Sequence, residues 1–211
     1  MGVGAKDIID HLAGIEPGSS LDNIRARRLQ ARENAQKTYL ALFGPADFAE
    51  VTAAERCAVA AFVAGVHDEP MAAAFYLAKL ASASDRTELV AALQAEIERG
   101  KTEGPYGAFP AGPLSIDNKT GLTYRVAGDR RAAIGTRLAA ALEHAHLLVF
   151  RPREANPAAL QALLDAGWSS NGIVTLSQLV AFLSFQVRTV AGLRALGASL
   201  GCGAAGAAKA G

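Results

Sequence analysis

The chain has 211 residues, 51% of them hydrophobic and only 6% aromatic, with 21 Lys and Arg against 20 Asp and Glu for a formal net charge of +1. That balance leaves no strong positive field to hold nucleic acid or an anionic membrane surface, so neither is expected as a partner. A core filled from Ala, Leu and Val favours closely packed helices over a β-sandwich, and the composition therefore points to an all-α fold with one core.

The N-terminal segment carries acidic residues inside a short apolar stretch and does not read as a secretion signal. A short helix is expected over Lys6–Ala13, stopped by Gly14 and the Pro17-Gly18 turn. Ser20 then caps a long amphipathic helix through Phe43, with Leu21, Ile24, Ala31, Ala35 and Leu42 on its apolar face and Gly44-Pro45 at its end. Arg25, Arg32 and Glu33 on the opposite face read as solvated charge. The stretch from Thr52 to Leu80 is apolar on nearly every turn, as in a helix buried on all sides. Thr52-Ala-Ala-Glu55 forms a capping box at its start, and Pro70 predicts a break with a restart at Met71, placing Asp68 or Glu69 near the new N-terminus. Ser84 or Asp85 caps the next helix, which runs to Ile97 and is closed by Gly100.

Residues 100–129 change to Gly, Pro and Tyr. Within them Leu114–Ile116 and Leu122–Val126 flank Asp117–Gly121 and read as a small β-hairpin or a pair of extended strands. So long an irregular segment either serves function, wraps a partner or covers an exposed helical face. Asp129–Leu148 reads as one helix carrying His144 and His146, and Asn156-Pro157 starts the next, ended by Gly167. The final long helix reaches Leu196. Its strongly apolar run, Ile173–Leu193, is interrupted by Ser177, Gln178, Ser184, Gln186 and Arg188, which favours a buried helix over a membrane span. The organisation expected is one helical domain over 1–198, with lobes at 20–99 and 131–198 around an insertion at 100–130, and a low-complexity disordered tail at 199–211.

The two cysteines, Cys57 and Cys202, have neither metal-ligand nor redox spacing, which fits a reducing cytoplasm. His67, Asp68 and Glu69 form a polar cluster at the helix break, where Glu69 or His67 could act as an acid or base. His144 and His146, two residues apart on a helix, point to different sides and are not a chelating pair. Phe182, Phe185, Gln186 and Arg188 either belong to the core or line a pocket, with Arg188 serving an anionic ligand.

The buried helix that begins with Glu55-Arg56, followed later by ALEHAHLLVFRPREANPAALQALLDAGWSSNGIVTLSQLVAFLSFQVRTVAGL, resembles the carboxymuconolactone decarboxylase and alkylhydroperoxidase D family, in its two-lobed, peroxidase-related branch. The resemblance spans roughly Thr52 to Leu193. It implies an all-α homo-oligomer and, in active members, peroxide reduction or decarboxylation. Redox members of that family carry Glu, Cys-x-x-Cys and His along one helix, so that one thiolate attacks, the other resolves and the Glu and His move protons. Aligning Glu55-Arg56 and Val63-Ala64 with the family pattern puts its acidic position at Cys57, its cysteines at Glu69 and Ala72 and its His at Tyr76. In a second register the acid is Glu55, the cysteines fall at His67 and Pro70, and the His falls at Ala74. Neither register supplies a dithiol.

The expectation is therefore a dithiol-free relative that binds a small, partly apolar or anionic molecule in the ancestral pocket, with no cofactor implied. Glu69, His67, Tyr76 and Cys57 are its candidate catalytic residues, and Phe182, Gln186 and Arg188 its candidate ligand-binding residues. The alternatives are a non-catalytic scaffold or partner of an active relative, and a weak one-cysteine peroxidase using Cys57.

Overall fold

The computed structural model describes residues 6–44, 48 and 50–207, with side chains as far as Leu200. Among these, ten α-helices follow in order: α1 (Ile8–Ala13), α2 (Ser20–Ala26), α3 (Leu29–Phe43), α4 (Ala53–Val66), α5 (Pro70–Ala83), α6 (Thr87–Gly100), α7 (Gly128–Ile134), α8 (Thr136–Phe150), α9 (Pro157–Asp165) and α10 (Ser170–Ala207). No strand occurs among the described residues, and the all-α expectation holds. The chain forms two compact units, Met1–Pro45 with Phe185–Gly211, and Ala46–Ser184.

In the first unit, the Asp7 carboxylate caps α1 by accepting from the amides of Ile9 and Asp10 at 3.0 Å, and Gly14 closes the helix at φ +69°. The helix expected over Ser20–Phe43 is two helices, parted at Arg27–Arg28, and its cap is Ser19, whose hydroxyl accepts from Asp22 N at 3.2 Å. Ion pairing accompanies the break. Arg25 binds Asp7 at 2.7 Å and also Asp10, while Arg32 binds the same Asp10 and reaches Asp22 at 2.8 Å. Arg25 is thus buried, 8% exposed, where the sequence suggested a solvated face; the pattern could not show that the Asp7 and Asp10 carboxylates fold back onto it.

In the second unit α4 is the centre, with every residue from Arg56 to Val66 buried. The capping box at its start is present: Thr52 Oγ1 accepts from Glu55 N at 3.2 Å and Glu55 Oε2 accepts from Thr52 N at 2.9 Å. The helix ends at His67, Asp68 turns left-handed at φ +56°, and α5 restarts with Pro70 in its first turn. Helix α6 approaches α4 at Gly65, where an added Cβ would run into the Ile97 side chain. The residue before α6 is Arg86, which offers no side-chain cap, so neither Ser84 nor Asp85 serves as one.

The segment from 101 to 127 carries no hairpin. Leu114–Ile116 lie in a 3-10 turn over Pro113–Asp117, and the pairing is a single antiparallel bridge between Gly107 and Lys119. Gly112, Pro113 and the Ser115 hydroxyl, which accepts from Gly112 N at 3.0 Å, close the chain locally and outweigh the β-preference of the apolar residues. Its far end is tied down by Glu96, a carboxylate on α6 with no exposed side-chain surface. Glu96 accepts from Tyr124 Oη at 2.6 Å, Arg99 at 2.6 Å, Arg130 at 3.1 Å and the Ala127 amide at 3.4 Å. The helix expected over Asp129–Leu148 is likewise two, parted at Gly135 with φ +89°, a conformation that glycine adopts at little cost. Asn156 caps α9 as expected, its side chain accepting from Ala159 N at 3.0 Å. Helix α10 continues past 199 to Ala207, and residues 208–211 of the expected tail lie outside the described residues. The stretch Ser170–Leu200 is long and apolar enough to cross a membrane by length and composition, yet half of its most apolar window is buried within the protein.

Candidate functional site

The helical period sets one wall of a cleft in the second unit. Ala140, Glu143, His144, Leu147 and Arg151 recur at helical spacing along α8 and its end, and all line a cavity of about 290 Å³. Ala158, Ala159, Ala162 and Leu163 of α9 form the facing wall, and the Thr123–Arg125 strap, held in place through Glu96, forms the third side. Small apolar residues therefore make the body of the cleft, and charged groups gather around it.

His144 is the distinctive group. It is 5% exposed, and neither ring nitrogen has a hydrogen-bond partner among the described residues. Burial holds its pKa below the ordinary value, so the ring is neutral at pH 7, with one nitrogen a donor and the other an acceptor. His146 faces differently, as its spacing predicts. Its Nε2 donates to the Gly100 carbonyl at 3.0 Å and its ring stacks on Tyr124 at 4.8 Å, with Phe150 at 4.7 Å. Burial pushes the His146 pKa down to about 4.

The charges around the cleft are paired. Arg125 and Arg131 share the Glu143 carboxylate at 2.7 and 2.9 Å, and Arg151 binds Glu154 and the Thr123 hydroxyl. The Arg151 Nε–H is buried without a partner among the described residues. Arg151 and His144 both line the cavity, and each holds a buried polar atom without a partner among the described residues. No group of three His, Cys, Asp or Glu residues suited to a metal ion occurs among the described residues.

A second cleft of about 270 Å³ lies at the α4–α5 break, lined by Gly65, Asp68, Glu69, Gln94, Glu98 and Lys101 among others. Glu69 is buried on its wall, and Lys101 bridges Glu98 at 2.9 Å and Asp68 at 3.6 Å. His67 does not line this cleft. Its Nε2 lies 3.5 Å from Ser184 Oγ and its ring 6.3 Å from Phe150, so the two candidate acid/base residues serve different surroundings. Tyr76 has no exposed surface and packs edge-on against Phe75 at 5.1 Å, lining neither cleft. Cys57 is buried, and burial raises its thiol pKa, the opposite of what a peroxidatic thiolate needs. Phe182 and Gln186 are buried and Arg188 is exposed; none of the three lines either cleft.

Sequence reasoning passed over Arg151, Arg125 and Glu96. The period that places Glu143, His144, Leu147 and Arg151 on one side of a helix was available, but the strap completing the cleft depends on Glu96 meeting Tyr124, 28 residues away. No family model, no curated protein and no solved structure matches the chain.

Proposed function

We propose that the chain is a small-molecule-binding helical protein of the carboxymuconolactone decarboxylase and alkylhydroperoxidase D type that works without a dithiol, and that its ligand sits in the α8–α9 cleft beside His144. The observation that carries the binding reading is the buried imidazole with both nitrogens unpaired among the described residues. A buried polar group left unpaired costs about 1–3 kcal/mol, and a ligand that pairs with it recovers that free energy only when bound. The family reading is supported by the all-α build and by the buried, box-capped α4. Redox chemistry at Cys57 forms no part of it. Self-association, the expected homo-oligomer, is supported by the apolar side chains that α10 exposes, among them Val174, Phe185 and Leu196.

The test is a thermal-shift screen of the full chain against a panel of small acids, alcohols and amides, alongside a His144→Leu variant. At least one compound class raises the wild-type melting temperature and has no effect on the variant. A panel that shifts neither protein, or both equally, overturns the reading. A second reading, Glu69 as an acid or base, is favoured by its burial on the wall of the α4–α5 cleft. Under it, Glu69→Gln abolishes turnover of a bound compound and leaves binding at His144 unchanged.

A further inference from the structure

We infer that the ligand of the α8–α9 cleft is an uncharged molecule with a hydrocarbon body, taken in preference to acids and amines of the same size. This rests on the cleft being a ligand site and adds the class of molecule that the site selects.

Charge decides first. Two guanidinium groups, Arg125 and Arg151, and two carboxylates, Glu143 and Glu154, line the cleft, so its charged lining is balanced. All four are engaged. Glu143 accepts from Arg125 at 2.7 Å, from the Val126 amide at 3.1 Å and from Arg131, which does not line the cleft, at 2.9 Å. Arg151 holds Glu154 and the Thr123 hydroxyl. An incoming carboxylate has to displace a glutamate from its arginine, and an incoming ammonium has to displace an arginine from its glutamate. Either exchange replaces one ion pair by another and leaves a protein charge bare, so the ligand's charge brings no gain to offset the hydration it gives up. The two imidazoles of the lining add no charge at pH 7, since burial lowers the pKa of both His144 and His146. The α4–α5 cleft is unlike it, with Asp68, Glu69 and Glu98 in its lining against Lys101.

The attraction comes from the walls. Ala140 and Leu147 of α8 face Ala158, Ala159, Ala162 and Leu163 of α9, and the short alanine side chains leave room between the two helices for hydrocarbon. Each ligand methylene buried there is worth about fourfold in affinity. The cavity, about 290 Å³, matches roughly ten water volumes of ~30 Å³, so a molecule of about ten non-hydrogen atoms fills it.

The experiment follows the amide shifts of the ¹⁵N-labelled full chain during titration with hexan-1-ol, hexanoate and hexylammonium, matched in chain length, and with butan-1-ol. Ala162→Leu, at an exposed position of the cleft wall, fills part of the cleft, and only binding that this variant weakens is counted. A cation held by the α4–α5 carboxylates is thereby set apart. Hexan-1-ol is expected to bind about tenfold or more tightly than either ion, and about fifteenfold more tightly than butan-1-ol, which is two methylenes shorter. Glu154→Gln leaves Arg151 without its carboxylate, and should tighten hexanoate relative to hexan-1-ol by up to about fivefold, the worth of an ion pair near the surface. Hexanoate or hexylammonium binding the wild-type cleft as tightly as hexan-1-ol overturns the inference, as do equal affinities for the two alcohols or a Glu154→Gln ratio that does not move. If no probe shifts the folded wild type, the inference falls. The binding reading then stands or falls separately, on whether the broad panel holds a compound dependent on His144.

Discussion

Replacing His144 with leucine should make the unliganded protein more stable, not less. The native ring is 5% exposed with both nitrogens unpaired among the described residues, so folding takes two polar atoms out of water without visible compensation. Leaving a buried donor or acceptor unpaired costs about 1–3 kcal/mol, and a leucine of comparable volume against Leu147, Ala159 and Leu163 removes that penalty and buries apolar surface instead. Some of the gain is lost to imperfect packing, so a net stabilisation of about 1–3 kcal/mol is expected, which for a chain of this size is a rise of roughly 2–10 °C in melting temperature. Urea unfolding followed by circular dichroism at pH 7 measures it directly. A stabilised variant that no longer binds small molecules marks a residue kept for function at the expense of stability. Destabilisation by more than about 1 kcal/mol would show that the ring is already hydrogen-bonded in the free protein, and would refute the reasoning.

Glu96→Ala strands Tyr124 Oη, Arg130 and the Ala127 amide together, and should destabilise by about 3–5 kcal/mol in the same unfolding assay while releasing the strap from α6 to proteolysis. Gly65→Ala forces a methyl into the Ile97 side chain at the α4–α6 crossing and should cost about 1–3 kcal/mol; an unchanged unfolding midpoint would mean that the two helices separate at no cost. Stability should also fall with acid. Unfolded histidine takes up its proton near pH 6.5, whereas folded His146 resists until about pH 4, so between those values the unfolded state binds more protons and is favoured as pH drops. From pH 7 to pH 5 the His146 contribution alone amounts to about 2 kcal/mol, with His144 acting in the same direction. A His146→Leu variant should lose correspondingly less stability over that interval in paired urea titrations.

The legible parts of the fold were those set by neighbours in sequence. The Thr52–Glu55 capping box, the break at Pro70, the Asn156-Pro157 start and the burial of α4 all follow from residues within a few positions of one another. What the pattern hid depends on distant partners or on one backbone angle. The α2–α3 break accompanies a shared Asp10 that lies 15 residues before Arg25 and 22 before Arg32. Gly135 looked like one more small residue in an Ala-rich helix until its positive φ split it. Candidate site residues fared by the same rule. Glu69 lies, buried, on the wall of a cleft at the helix break that Pro70 signals. Tyr76 and Cys57 proved to be core, as apolar periodicity would suggest. His144 was noticed for its type, but its lack of partners is a property of α8, α9 and the strap together.

That property can be read at a single side chain. In full-chain protein with ¹⁵N-labelled histidine, the long-range ¹H–¹⁵N spectrum reports the tautomer and hydrogen bonding of each ring, and the His144→Leu variant assigns the signal. A site that holds small molecules through His144 predicts a neutral ring at pH 7 whose nitrogen shifts move in a saturable way when an active compound from the panel is added. A His144 signal that stays fixed through every titration, while the protein remains folded, would contradict it.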